Sequence, residues 1–191
     1  MRVVYIHGAT ASERSFAFIQ KSIRAKDPIY LNYEKNTTAK ENLDSMIETL
    51  EFEDGPFYII AHSLGGVYAT YLQQEFGAVQ GVISLATPFN GSEIATWGAM
   101  LNPGYQLFQD ITTHSSFIRN SRKIEIKCPW LQVVTTVGDV PWITGANDGI
   151  VTQSSMTCRN DVEYLEIDRN HYEIVLSKRV VSLIKKRLTL E

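Results

Sequence analysis

A chain of 191 residues with 44% hydrophobic and 20% charged residues is long enough to bury a core without disulfide staples, and it fits one domain. The formal net charge of -3 comes with no long basic stripe and no acidic block, which excludes a nucleic-acid-binding surface or a disordered acidic tail as the organising feature. Cys128 and Cys158 form neither a CxxC pair nor a zinc spacing, and the sequence leaves open whether they pair.

The chain passes from Met1-Arg2 straight into Val3 to Ile6, an apolar run expected to be a core strand, and no run approaches the roughly 18 apolar residues of a membrane span. A cytoplasmic protein is the expectation, with export the alternative if a leader has been removed. After Ile6 comes His7-Gly8-Ala9-Thr10, where glycine lets the backbone turn sharply and present N–H groups to a ligand. Phe16, Ile19 and Ile23 predict a helix over about 13–25. Residues 28–33 predict a short strand, and Leu43, Met46, Ile47 and Leu50 a second helix.

Phe57 to Ala61 reads as a buried strand that turns within two residues into a helix carrying Val67, Tyr68, Tyr71 and Leu72. Ser63 stands at that turn. Ala61 and Gly65 flank it two residues to either side and Gly66 follows, small residues that a crowded strand–turn–helix elbow needs. The plainer role for such a serine is a helix N-cap. Val79 to Ala86 and Trp130 to Val137 are near-continuous apolar runs, the signature of parallel strands covered on both faces. Between them, residues 93–123 alternate large apolar side chains with Gly98, Pro103 and Gly104, which suits one or two short packing helices, a small cap, or both. Val162 to Ile167 predicts the last strand, and a terminal helix is expected over about 172–188.

About six strands separated by helices, without repeat or linker, predict a single three-layer α/β domain with a mostly parallel sheet. Ligands bind beyond the carboxyl ends of such strands. Ser63, Asp148 and His171 all follow strands, in the order nucleophile, acid, base. A serine hydroxyl becomes a nucleophile when an imidazole takes its proton and a carboxylate fixes that imidazole. Asp139, which follows its strand almost directly, competes with Asp148 for the acid. His7 is expected to shape its loop, His62 to point away from the nucleophile, and His114 to stand apart; none makes an HExxH motif. The N–H groups of Ala9 and Leu64 are the two expected oxyanion donors.

These stretches together resemble the small α/β-hydrolase lipases and esterases of the bacterial triacylglycerol-lipase type, and more distantly the deacylases of lipid-anchored inositol. His7-Gly8-Ala9, Ala61-His62-Ser63-Leu64-Gly65-Gly66, Thr87 to Ser92, Asn147-Asp148-Gly149-Ile150-Val151 and Asn170-His171 carry the resemblance. It implies an α/β-hydrolase fold, a Ser63–His171–Asp148 triad with Asp148 preferred to Asp139, and no metal or organic cofactor. The implied activity is cleavage of carboxylic esters through an acyl-enzyme, with an ester-bearing small molecule or lipid as partner and at most transient contact with a lipid surface. Phe89-Asn90 stands where many relatives carry a His-Arg pair, which favours a smaller or more accessible ester. Phe89, Trp97, Met100, Leu101, Tyr105 and Phe108 are the expected acyl-side wall. The same triad would also suit thioester or amide cleavage or acyl transfer, and a binding protein that keeps the fold is the alternative of another class.

Overall fold

A computed structural model of the protein describes residues 2–101, 104–138 and 140–188, except for the side chains of Trp97 and Leu101. Six strands form one sheet: β1 (Arg2–Ile6), β2 (Ile29–Leu31), β3 (Phe57–His62), β4 (Val79–Leu85), β5 (Trp130–Thr135) and β6 (Glu163–Ile167). They lie in the order β2-β1-β3-β4-β5-β6, and every pairing is parallel. The helices are α1 (Ala17–Ile23), α2 (Ala39–Glu51), α3 (Leu64–Glu75), α4 (Glu93–Leu101), α5 (Gln106–Asp110), α6 (Ser116–Ser121), α7 (Gln153–Met156) and α8 (Lys178–Arg187). No helix among the described residues is long and apolar enough to cross a membrane.

Side chains alternate across a strand, so an apolar run serves two cores at once. Val4, Ile6, Ile59, Ala61 and Val82 pack on one face with Met46 and Leu50 of α2 and Val67 and Leu72 of α3. Their neighbours Val3, Tyr5, Ile60, Ile83 and Leu85 pack on the other with Ile19 and Ile23 of α1 and Val180 and Ile184 of α8. Helices cover both faces of the central strands, which is why these are mostly apolar, whereas the edge strand β6 exposes Glu163 and Glu166.

Three expected elements differ in detail. The helix over 13–25 opens as a 3-10 turn, Glu13–Phe16, before α1, and Arg24 ends it in the left-handed region at φ 51°. The segment 93–123 holds three short helices, of which α6 drives Ile118 into the core. The terminal helix is broken: a 3-10 turn, Glu173–Leu176, gives way at extended Ser177 (φ -77°, ψ 122°), whose hydroxyl accepts from the Val180 N–H to cap α8. A serine that bonds locally offers the backbone an alternative to continuing a helix.

Candidate active site

The turn from β3 into α3 holds Ser63 at φ 52°, ψ -124°, a backbone conformation that few L residues adopt. Its N–H is anchored to the Leu85 carbonyl at 2.8 Å, and its carbonyl accepts from Gly66 N–H at 3.0 Å. The small neighbours are required by contact: a Cβ on Gly65 would overlap the Ile6 carbonyl and one on Gly66 the Thr87 side chain. Because the obstacle at Gly65 is backbone on the central sheet, Gly65→Ala is expected to lower stability by about 3 kcal/mol, read as a drop in the urea midpoint.

His171 Nε2 lies 3.0 Å from Ser63 Oγ, and its Nδ1 lies 2.7 Å from Asp148 Oδ2. All three residues are buried. Asp148 leaves no carboxylate oxygen idle. Its Oδ1 accepts the N–H groups of Ile150 at 3.0 Å and Val151 at 2.8 Å, and its Oδ2 also accepts the Thr135 hydroxyl. Burial pushes the Asp148 pKa up, but the His171 hydrogen bond and charge, Thr135 and the Val151 N–H outweigh it and hold the carboxyl below its ordinary 3.8. The loop that presents it is tied by Asp148 N–H to the Val151 carbonyl and turns at Gly149, φ 95°.

The main chain of His171 is gripped at both ends. Its N–H donates to the Asp148 carbonyl at 3.1 Å, and its own carbonyl accepts from His62 Nε2 at 2.9 Å. His62 thus lies beside His171, ring centroids 4.9 Å apart, rather than pointing away from the serine's surroundings. Burial and the neighbouring His171 charge lower its pKa from 6.5 to about 3, so it stays neutral with its proton on Nε2. The unfolded chain takes up a proton near pH 6.5 and the folded chain only near 3, so His62 makes stability fall as pH drops through that window. Urea midpoints of the wild type should decline from pH 6.5 toward 3 more steeply than those of His62→Phe.

His7 does shape its loop. Its Nδ1–H donates to the Gly8 carbonyl at 2.8 Å, its ring stacks on Tyr33 at 4.3 Å, and the Tyr33 hydroxyl donates to the His7 carbonyl at 2.8 Å. The Gly8 carbonyl also accepts from Ala11 N–H at 3.0 Å. In a trans peptide the N–H points opposite to the carbonyl, so pinning the Gly8 oxygen turns the Ala9 N–H the other way. Leu64 begins α3, and its N–H is among the four that a helix leaves without an internal partner. Ala9 and Leu64 both line the cavity that contains Ser63 and His171. His114 is exposed and bonded to Thr113, apart from this site.

That cavity has a volume of about 350 Å³ and a mostly apolar wall of Ile94, Ala95, Gly98, Phe108, Ile111, Ile150, Val151 and Val175. Of the expected wall residues, Phe108 is there. Phe89 is not: it is fully buried against Trp130, centroids 5.9 Å apart, beneath the Arg159 guanidinium. Met100 is 70% exposed on the outer side of α4, and Tyr105 packs edge-on against Phe108 under Lys35. The side chains of Trp97 and Leu101, and Asp139 as a whole, lie outside the described residues. Thr135 is not singled out by the sequence reading, which names His62 and Ile150-Val151 but does not give His62 its bond to the His171 carbonyl or Ile150 and Val151 their N–H bonds to Asp148. The available signal for Thr135 is its place at the carboxyl end of a mostly apolar strand. Among the described residues no group of three His, Cys, Asp or Glu side chains gathers as a metal site.

Sheet order, elbow and hydrogen-bonded Ser–His–Asp chain define the α/β-hydrolase fold. The chain superposes on a mature lipase of Bacillus licheniformis, BlEst2, with a TM-score of 0.75 at 16% identity, covering 98% of this chain and 91% of that one. The metagenomic carboxyl esterase MGS0156 follows at 0.74 and 14%, covering 90% and 64%. A structure from the metagenome-derived lipolytic enzymes LipS and LipT gives 0.71 and 14%, covering 99% and 92%. No protein-family model and no curated protein sequence matches the chain.

Proposed function

We propose that this protein is a serine hydrolase that cleaves carboxylic esters of small to medium acyl groups. The observation that carries the reading is the unbroken hydrogen-bonded path from Ser63 Oγ through His171 to Asp148, opening into an apolar cavity of about 350 Å³. Ser63 Oγ attacks the ester carbonyl while His171 Nε2 takes its proton, and Asp148 holds the imidazole in the tautomer whose Nε2 is free to accept. The tetrahedral oxyanion is received by the N–H groups of Leu64 and Ala9. The C–O bond to the alcohol then breaks, and the alcohol leaves with the proton from His171. Water deprotonated by the same nitrogen attacks the acyl-enzyme, releasing the acid and restoring Ser63. The acyl group occupies the wall formed by Ile94, Gly98, Phe108 and Ile111, where α4 and α5 serve as a small cap.

The test is a series of p-nitrophenyl esters of increasing acyl length beside matching thioesters. An optimum at short to medium chains supports the reading. Turnover restricted to thioesters, amides or transfer to an alcohol would move the reaction while keeping the triad. Absence of any Ser63-dependent turnover would leave a binding protein on a hydrolase fold.

His62 acts in this scheme through the His171 main chain. In His62→Phe the carbonyl of His171 loses its donor and the base shifts, so kcat is expected to fall by about 10- to 100-fold with KM little changed. Steady-state kinetics at saturating ester would check it.

A further inference from the structure

Residues 21–26 and 178–187 hold three and five lysines and arginines, eight of the chain's 18, and not one aspartate or glutamate, in a protein whose net charge is -3. The two segments are far apart in sequence, but α1 and α8 lie side by side on one face of the sheet. Between them runs an open groove of about 740 Å³, edged by Lys21, Arg24, Lys178 and Lys185 over a floor that includes Phe18 and Val181. The four cations are exposed, and no ion pair holds any of them among the described residues. Arg187, by contrast, is paired with Glu163.

Helix electrostatics accounts for only part of this. Cations in the last turns of α1 and α8 suit the negative end of the helix dipole, but Lys178 and Arg179 occupy the first turn of α8, where positive charge is unfavourable. The same end of α8 adjoins Tyr172 and Leu176, which are 60% and 59% exposed. Tyr172 also lines the mouth of the cavity that holds Ser63. Cations flanked by exposed apolar side chains match a surface that offers phosphate and hydrocarbon together.

We propose that the α1/α8 face docks on an anionic lipid surface, with Tyr172 and Leu176 entering the interface and the cavity mouth turned toward it. The purpose rests on the ester-hydrolase reading above, since such docking would draw substrate from the lipid layer, but the docking itself needs no turnover. A nucleic acid or acidic peptide would answer the cations and leave the apolar pair unused.

The experiment is co-sedimentation of the full chain with vesicles of phosphatidylcholine alone and of phosphatidylcholine mixed with phosphatidylglycerol. Binding is expected only to the mixed vesicles and should weaken as salt is raised. Each neutralised cation should weaken it about 5-fold, so Lys178→Gln with Arg179→Gln, and Lys21→Gln with Lys185→Gln, should each lose roughly 30-fold. Lys40→Gln with Lys123→Gln, on the opposite helical layer, should bind as wild type. The α8 pair removes charges unfavourable to its helix, so misfolding cannot account for its loss, and hydrolysis of a soluble ester should be unchanged. Ser63→Ala should sediment as wild type, which separates failure of docking from failure of the catalytic reading. Equal binding to neutral vesicles, undiminished binding by both groove variants, or no vesicle binding beside charge-dependent capture of a DNA duplex or polyglutamate would overturn the proposal.

Discussion

Ser63→Ala is expected to lower turnover of a p-nitrophenyl ester by about a millionfold, to the level left by binding and the oxyanion donors. The loss is chemical: with Oγ gone, no atom at the elbow can form the acyl-enzyme, while the Leu64 and Ala9 N–H groups remain in place. Ser63 makes no helix-capping bond, and among the described residues its hydroxyl is bonded to His171 alone, so the folded structure should be retained. Stopped-flow assay beside a urea melt distinguishes the two effects. A variant that keeps a tenth of the wild-type rate would end the case for Ser63 as nucleophile.

Asp148→Asn is expected to cost about 10⁴-fold in kcat. The amide has one acceptor oxygen. If that oxygen keeps the N–H groups of Ile150 and Val151, the new NH₂ faces His171 Nδ1, which must then accept rather than donate. The imidazole proton moves to Nε2, the atom that has to receive the proton of Ser63. Asp139→Asn should leave turnover close to wild type, and the reverse outcome would transfer the acid role. Asp148 also contributes to stability. Its folded pKa is depressed, so the contribution is complete above the ordinary 3.8 and is lost as pH falls through that value toward the lower folded one. The asparagine variant should lack this acid-side decline, a difference that urea midpoints between about pH 5 and pH 2 would reveal.

The parallel sheet was legible because strands buried on both faces read as near-continuous apolar runs, and Val79 to Leu85 and Trp130 to Thr135 are such runs, interrupted by Gln80, Gly81 and Ser84 in one and Gln132 and Thr135 in the other. The three side chains now found in contact were legible because each follows a strand, and strand ends converge on one edge of such a sheet. Ends of elements were harder to read. Ser177 resembles any helix-surface serine in the sequence, and only its bond to the Val180 N–H shows that it starts a helix rather than sits in one. The cavity wall was hardest, since the irregular stretch has no period to say which side faces inward. Phe89 sits in the turn that Gly91 N–H closes on the Pro88 carbonyl and is fully buried there, and the space it was expected to fill is bounded by Ile94, Ile111 and Val175. The basic face does not show in the sequence because its halves lie at opposite ends of the chain and meet only once α1 and α8 are packed.

The backbone of Ser63 at φ 52° carries a cost of about 1–3 kcal/mol that glycine would not incur. Position 63 is therefore a place where two selections disagree. A library randomised there and sorted for folded protein alone should converge on glycine, and the same library sorted for ester cleavage should return serine. The residue that folding would discard is the one that chemistry must keep, and the gap between the two winners measures how much stability this chain has given up in order to react.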